Sequence, residues 1–405
     1  MKTTPGDDAL RAGHALGQDT LAVRGGLLRS EFDETAEALY LTSGFVYASA
    51  EEAEAAFKDE IEKFIYSRYG NPTVAMFEER MRGLEGAEAC FATASGMAAV
   101  FVTLAALCGA GSRLVASRAL FGSCFVIVDE ILPRWGVETV LVDGADLAQW
   151  EAALDRETAA VFFETPSNPM QELVDIEAVA RTAHAVGAQV VVDNVFGTPV
   201  FSKPLRHGAD IVVYSTTKHI DGGGRVLGGA VLGPRDFIDG PVKNLMRHTG
   251  PAMSPFNAWV NVKGLETLRL RVEQQARSSL VLAEHLEGHA RVVDVRYPWL
   301  PSHPQHDLAR RQMLGGGTVV TFTIDGGKDE AFAVMNALRL VDISNNLGDA
   351  KSLTTHPATT THRRLGPEGR AAAGIQDGTI RISVGLEDTD DLLADIDQAL
   401  DIRRR

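Results

Sequence analysis

Cysteine is scarce in this chain of 405 residues, which contains only Cys90, Cys108 and Cys124. Three cysteines cannot all pair, and none of them shows the C-x-x-C spacing of a thiolate zinc site. We therefore expect no disulfide framework and no metal site, and a reducing compartment is the default. The polar first residues lack the apolar core of a secretory signal, which agrees with a cytoplasmic location.

The chain also has no net positive charge and no long apolar run. The sequence has 39 basic and 54 acidic residues, a net charge of −15. This balance disfavours nucleic acid and anionic membranes as partners and favours small-molecule chemistry. No run approaches the ~18 apolar residues of a membrane-spanning helix. The hydrophobic content of 45% is sufficient for the cores of two domains.

Two nucleotide-binding motifs are absent, since neither G-x-G-x-x-G nor a Walker lysine motif occurs. A dinucleotide enzyme and a P-loop NTPase are therefore disfavoured. From about residue 75 to 255 the chain instead alternates β-rich and helical runs. The apolar run 159–163, a helix from Asp175 to Gly187 and the strand-like run 189–193 follow one another. This β-α-β order predicts a mostly parallel sheet with a ligand site at the carboxyl ends of its strands.

The pattern changes on either side of this region. Residues 1–65 are predicted to form an N-terminal arm whose one helix covers 51–64. Prolines near residue 255 end a large domain of residues 66–256, and a long helical stretch leads into a smaller α+β domain of residues 257–405.

Lys218 is the most informative residue, because it follows the strand-like run 210–214 on a short loop of small hydroxyl residues. A lysine in such a loop is commonly a solvated surface group. Asp193, at the end of another predicted strand, favours a different interpretation. A lysine that forms an imine and an acid that pairs with a pyridinium nitrogen are the two protein groups that pyridoxal phosphate chemistry demands.

Two further segments are candidates for holding a phosphate. The backbone amides of Gly96 and Met97 open an apolar helix and would point at an anion, although Ser95 could simply be the N-cap of an ordinary helix. Tyr66 and Arg68 are two residues apart and would point the same way in an extended segment. Together they could clamp a phosphate, or they could belong to a solvated turn.

Six separated segments, in order and spacing, resemble the Cys/Met-metabolism family of pyridoxal phosphate enzymes. They are Tyr66-Ser67-Arg68, Ser95-Gly96-Met97, Glu164-Thr165-Pro166-Ser167-Asn168-Pro169, Val192-Asp193-Asn194, Ser215-Thr216-Thr217-Lys218 and Arg381-Ile382-Ser383-Val384-Gly385-Leu386-Glu387. The resemblance runs from about residue 20 onward. It implies an α/β fold of type I, similar to aspartate aminotransferase. A large cofactor domain built on a mostly parallel sheet would precede a smaller α+β C-terminal domain.

The resemblance also implies roles for single residues. Lys218 would bind pyridoxal 5'-phosphate as a Schiff base and shuttle protons, and Asp193 would pair with the ring nitrogen. Cofactor contacts are further implied for Ser95, Gly96, Met97, Phe121, Asn168, Ser215 and Thr217. Tyr66 and Arg68 resemble a pair that reaches the phosphate site of a neighbouring subunit, in an active dimer within a homotetramer. Arg381 resembles the arginine that grips the substrate carboxylate, and Asn346 is a further substrate-binding candidate.

Departures within the family narrow the implied activity. Phe121 stands where the lyases have a tyrosine, and residues 219–225 and 343–350 are most similar to O-succinylhomoserine sulfhydrylases. The implied reaction is γ-replacement on O-succinyl-L-homoserine with sulfide, giving L-homocysteine and succinate for methionine biosynthesis. Cystathionine γ-synthase, O-acetylhomoserine sulfhydrylase and a cystathionine or methionine γ-lyase stay open as alternatives, as does a cofactor-binding protein without activity.

Overall fold

The computed structural model describes residues 16–401. Within this range the strands are β1 (Ala89–Thr93), β2 (Arg113–Ser117), β3 (Glu138–Val142), β4 (Ala160–Glu164), β5 (Gln189–Asp193), β6 (Ile211–Ser215), β7 (Gly229–Gly233), β8 (Val292–Arg296), β9 (Val319–Ile324), β10 (Asp342–Ile343), β11 (Leu353–Thr355) and β12 (Thr379–Ser383).

The α-helices in the same range are α1 (Gln18–Arg24), α2 (Ala50–Phe57), α3 (Pro72–Glu85), α4 (Gly96–Leu107), α5 (Gly122–Val126), α6 (Leu132–Arg134), α7 (Leu147–Ala153), α8 (Ile176–Ala185), α9 (Thr198–Phe201), α10 (Arg235–Phe237), α11 (Lys243–Thr249), α12 (Pro255–Glu266), α13 (Leu268–Glu287), α14 (His306–Gln312), α15 (Lys328–Ala337), α16 (Gly366–Ala372) and α17 (Thr389–Leu400). None of the helices between residues 16 and 401 is long and apolar enough to cross a membrane.

The chain divides into two compact units. Of the described residues, the first unit comprises 16–106, 213–217 and 225–267, and the second comprises 107–212, 218–224 and 268–401. The domain boundaries that the sequence suggests, after residues 65 and 256, stay predictions.

The larger of two sheets has seven strands in the order β1-β7-β6-β5-β4-β2-β3. In the second unit β2 pairs in parallel with β3 and β4, and β4 pairs in parallel with β5. In the first unit β1 pairs antiparallel with β7. All five residues of β4 are buried, as a strand covered on both faces requires. The predicted mostly parallel sheet is thus confirmed.

Helix α8 covers part of the parallel sheet. The Asp175 side chain accepts a hydrogen bond from the backbone N–H of Ala178 and caps its first turn. Ile176 and Val179 on one face of α8 pack in a core that also contains Phe163 of β4 and Val190 of β5. Full burial of each such large apolar side chain contributes about 1.5–3 kcal/mol, so this core fixes the strands whose carboxyl ends carry the site.

The second unit contains another sheet of five strands in the order β10-β11-β12-β9-β8. Strands β11, β12, β9 and β8 pair antiparallel, and β10 joins β11 in parallel. Phe322 of β9 and Ile380 of β12 share a core with Leu282 of α13 and Ile396 of α17. The predicted small α+β portion is confirmed, and its strand β12 carries Arg381.

One predicted helix is shorter than the sequence suggests. Helix α2 ends at Phe57, whereas the pattern predicts a helix over 51–64. Asp59 has a positive φ of 56°, and this left-handed conformation cannot continue a right-handed helix. Only Ala56 of α2 is buried, so little packing stabilises a longer helix.

Candidate active site

Lys218 lies in a turn that directly follows β6. The turn is closed by a hydrogen bond from the Gly222 N–H to the Lys218 carbonyl at 2.8 Å. The half-buried Lys218 side chain donates from Nζ to Oδ1 of Asn346 at 2.6 Å. Burial, and then the charge of Arg381, lowers the pKa of Lys218 to about 8, although the Asp193 carboxylate acts in the opposite direction. A useful fraction of the amine is therefore uncharged near neutral pH, as a nucleophile requires.

Asp193 is the last residue of β5, and its side chain is buried. Its Oδ1 accepts a hydrogen bond from the backbone N–H of Val195 at 3.1 Å. Burial raises the pKa of Asp193 to about 7, while the Val195 N–H and the Lys218 charge lower it. A buried carboxyl of this kind is stabilised as the anion by a cationic partner, and a protonated pyridine nitrogen is such a partner.

Arg381 projects from β12 and is only 1% exposed. Its Nη1 donates to Oδ1 of Asn168 at 3.0 Å, and its Nη2 donates to the carbonyls of Asn345 and Asn346 at 3.1 Å each. Its Nε has no hydrogen-bond partner among residues 16–401. Burial lowers the pKa of Arg381 to about 10, opposed by Glu164, so the group stays charged at neutral pH. The result is an oriented cation with a donor still available for an anionic ligand.

Asn346 connects the lysine with the arginine. Its side-chain oxygen accepts from Lys218, and its backbone carbonyl accepts from Arg381. The loop after β10 therefore holds both cationic side chains at once. The sequence of this loop has no periodic pattern, so its contacts with Lys218 and Arg381 could not be predicted from hydrophobic spacing.

Phe121 precedes α5 and is half-buried. Its backbone N–H donates to Oε2 of Glu164 at 3.0 Å, and the N–H of Asn168 donates to Oε1 of the same carboxylate at 2.8 Å. Burial, and then the Asp193 carboxylate, raises the pKa of Glu164 well above its ordinary value. In the sequence, Glu164 is evident only as the first residue of the motif Glu164-Thr165-Pro166-Ser167-Asn168-Pro169. The signal for a site residue was its position, directly after an apolar run at the carboxyl end of a parallel strand.

The first unit contains the predicted phosphate segment. Helix α4 begins at Gly96, and Oγ of Ser95 accepts a hydrogen bond from the Ala98 N–H at 3.1 Å. A Cβ on Gly96 would lie 2.5 Å from the Cβ of Ser215, so only glycine allows the helix start to approach the end of β6 this closely. Met97 follows in the first turn of α4, whose positive end attracts anions.

Thr217 lies two residues beyond the end of β6. Its Oγ1 accepts from the backbone N–H of Gly228 at 3.1 Å. The hydroxyls of Ser215 and Thr217 and the start of α4 therefore belong to one unit. Hydroxyls beside a helix N-terminus suit a phosphate.

Tyr66 and Arg68 do come together, but not as side chains of an extended segment. Backbone hydrogen bonds from Tyr69 and Gly70 to the Tyr66 carbonyl make this segment a turn. The Arg68 guanidinium lies 5.4 Å from the Tyr66 ring centre and also donates to the carbonyl of Arg247. The extended segment is therefore wrong, and the chain forms a turn here, which was the alternative that the sequence left open. This turn places the Arg68 guanidinium over the Tyr66 ring.

No group of three or more His, Cys, Asp or Glu side chains that could hold a metal ion occurs within residues 16–401. Oxygen and nitrogen atoms in the second unit are instead arranged around Lys218, Asp193 and Arg381. Such a set suits an organic ligand that carries a carbonyl, a basic ring nitrogen and a carboxylate.

Comparison with known proteins identifies the family. The profile of the family described as Cys/Met metabolism PLP-dependent enzyme matches residues 19–401. The chain is a member of this family. Pyridoxal 5'-phosphate (PLP) is accordingly its cofactor, and the fold is that of the type I enzymes that use it.

Relatives within the family are similar over almost the whole chain. The chain is 68% identical to an O-succinylhomoserine sulfhydrylase of Mycobacterium tuberculosis, with 95% of each chain covered. It is 50% identical to the enzyme of that name from Pseudomonas aeruginosa, with 94% of each covered. A solved structure of cystathionine gamma synthase from Xanthomonas oryzae pv. oryzae, in complex with aminoacrylate and cysteine, is 34% identical. It has a TM-score of 0.90 and covers 95% of this chain and 98% of that one.

Within the second unit, the side chains present fit the cofactor. Lys218 offers an amine with a lowered pKa, and Asp193 offers a buried carboxyl at the end of β5. These are the features that an aldehyde and a ring nitrogen demand.

Proposed function

We propose that the protein catalyses γ-replacement on O-succinyl-L-homoserine with sulfide, giving L-homocysteine and succinate. The C–O bond at the γ-carbon breaks, a C–S bond forms there, and the leaving carboxylate takes the electron pair. The observation that carries the proposal is the 68% identity, over 95% of both chains, to an enzyme named O-succinylhomoserine sulfhydrylase. The reaction would serve methionine biosynthesis.

Bound PLP would supply an electron sink beside the substrate α-carbon. In this proposal Asp193 keeps the pyridine nitrogen protonated, and Lys218 carries the cofactor and, once released, moves protons at its Nζ. The hydrogen bond with Asn346 defines where that amine lies. Asn168 would help to hold the 3'-oxygen of the cofactor, and Phe121 would stack on its ring.

Arg381 is proposed to bind the substrate α-carboxylate. Its Nη atoms are already committed to Asn168 and to two loop carbonyls, so the guanidinium is oriented before substrate arrives. An oriented, buried cation gains more from an anion than a solvated one does. Asn346, whose loop supports Arg381, is proposed to contact the same end of the substrate.

Ser95, Gly96, Met97, Ser215 and Thr217 are proposed to hold the cofactor phosphate. Tyr66 and Arg68 are proposed to reach the phosphate of a neighbouring subunit, so that the active unit is a dimer within a homotetramer. The exposure of Tyr66, at 41%, supports a role outside its own chain. The cytoplasmic location stays a prediction.

The test of the proposed function is a comparison of substrates with purified, PLP-loaded protein. O-succinyl-, O-acetyl- and O-phospho-L-homoserine are each supplied with sulfide, with L-cysteine, and without a nucleophile. Homocysteine and succinate formed fastest from the succinyl ester plus sulfide support the proposal. Faster cystathionine formation with cysteine would replace it by cystathionine γ-synthase. Turnover without a nucleophile would indicate a γ-lyase instead. Faster homocysteine formation from the acetyl ester than from the succinyl ester would indicate an O-acetylhomoserine sulfhydrylase.

A further inference from the structure

Glu164 is a buried acid at the carboxyl end of a parallel strand. It is the last residue of β4, whose other four residues are Ala160-Val161-Phe162-Phe163, and it is 3% exposed. In the parallel register it stands opposite Asp193 of β5. Two carboxyl groups at adjacent buried strand ends are costly unless each has specific partners. The partners of Glu164 therefore indicate why an acid is present.

Both oxygens of Glu164 accept hydrogen bonds from the backbone of different segments. Oε2 accepts from Phe121, 43 residues earlier, and Oε1 accepts from Asn168, four residues later. A carboxylate has acceptors on both oxygens, whereas an amide of the same size has one acceptor and one donor. Only the acid can receive both N–H groups, and it thereby joins the start of α5 to the loop after β4.

The connection extends from Asn168 to Arg381. Oδ1 of Asn168 accepts from Nη1 of Arg381 at 3.0 Å, so the position of the Asn168 backbone affects where the guanidinium lies. Glu164 is thus linked by one hydrogen bond to the Phe121 segment and by two in series to Arg381. The links to Phe121 and Arg381 do not follow from the sequence order, because both residues are far from Glu164 along the chain.

We infer that Glu164 is a positioning residue that holds the Phe121 and Asn168 backbones in the places from which their side chains meet the cofactor. The inference rests on the proposed roles of Phe121 and Asn168. Glu164 itself is not required to touch substrate or cofactor. Its loss would let both segments shift, with the cofactor still attached through Lys218.

The variant Glu164→Gln tests this role because it keeps the side-chain size and removes one of the two acceptors. Glu172→Gln is the matched control, since Glu172 is a half-buried acid on the same loop. The first measurement, which needs no substrate, is visible circular dichroism of bound PLP, together with the PLP dissociation constant and the melting temperature. We expect Glu164→Gln to fold and bind PLP but to lose most of the visible dichroism, while Glu172→Gln matches the wild type.

The second measurement is kinetic and uses whichever homoserine ester the wild type turns over. Leaving one buried N–H without its acceptor predicts a fall in kcat/KM of about 10- to 100-fold for Glu164→Gln. If Glu164 acts through Asn168, combining Glu164→Gln with Asn168→Ala lowers kcat/KM by less than the product of the two single effects.

Wild-type dichroism in Glu164→Gln, or independent effects of the two substitutions, overturns the inference. If Glu164→Gln does not fold, Glu164→Asp replaces it under the same criteria, because aspartate keeps the carboxyl group but its side chain is one methylene too short to reach both N–H groups. Failure of every ester with the wild type would contradict the proposed function instead, and the dichroism would still decide the role of Glu164.

Discussion

The side-chain nitrogen of Lys218 donates a hydrogen bond of 2.6 Å to the side-chain oxygen of Asn346, 128 residues further along the chain. The same Asn346 accepts a hydrogen bond from Arg381 on its backbone carbonyl. One loop residue thus sets the separation between the amine proposed to carry the cofactor and the cation proposed to bind the substrate carboxylate.

Replacing Lys218 with alanine removes the amine that is proposed to attach the cofactor and to move protons. We expect kcat to fall by about 10²–10⁴-fold, with loss of the visible absorbance of lysine-bound cofactor. Lys351→Ala is the control, because that lysine is 66% exposed and should stay fully active. Borohydride reduction followed by peptide mapping identifies the attached residue, and a pyridoxyl label on any other lysine contradicts the assignment.

Asp193→Ala removes the only acid proposed to meet the ring nitrogen. The cofactor should stay attached through Lys218, but kcat should fall by about 10²–10³-fold because the charge-stabilising partner is lost. Steady-state kinetics and the absorbance of the bound cofactor measure the two effects separately. Activity close to that of the wild type would sink the proposed role of Asp193.

Attachment of PLP to the cofactor-free protein should depend on pH through Lys218. Below its pKa of about 8 the amine is protonated and cannot attack, so the rate should rise with pH and level off above about 8. Stopped-flow absorbance records the rate. The reference compound is Nα-acetyl-lysine, whose amine has a pKa near the ordinary lysine value of 10.5. A midpoint equal to that of the reference would show that burial does not lower the pKa of Lys218.

The proposed dimer predicts complementation between two inactive variants. Arg68→Ala impairs the site to which Arg68 contributes in the neighbouring subunit, and Lys218→Ala impairs the site of its own chain. Mixed dimers then contain one intact site, so an equal mixture should recover roughly a quarter of the wild-type activity. Subunit exchange is verified by native mass spectrometry. No recovery after complete exchange means that each site is built within one chain.

Phe121 should favour replacement over elimination. It can stack on the cofactor ring but supplies no phenolic proton, whereas succinate leaves without one as a stable anion. We expect little thiol release from methionine or cystathionine by the wild type, and a several-fold higher ratio of elimination to replacement in Phe121→Tyr. Phe332→Tyr, on α15, is the control. A wild type that cleaves cystathionine as fast as it consumes the ester contradicts this prediction.

Strands and the main chemical groups could be predicted from local pattern. The continuous apolar runs before Glu164 and Asp193 indicate buried parallel strands, and the structure places β4 and β5 within one residue of the predicted bounds. Asp175 was recognisable as a helix N-cap because its side chain satisfies an N–H only three residues away. Lys218 and Asp193 stood out because Asp193 ends a strand and Lys218 closely follows one, and parallel sheets place their ligand sites at the carboxyl ends of their strands.

The tertiary structure alone decided which of these groups meet. The sequence determined that the chain contains Lys218, Asp193 and Arg381 in the pattern of a PLP enzyme, and that β-α-β order orients the strand ends. It could not show that Arg381 bonds to Asn168, 213 residues away, or that Glu164 receives two backbone N–H groups. Such contacts depend on how separate segments pack, and that packing is set by burial of apolar side chains across the whole core rather than by neighbours along the chain.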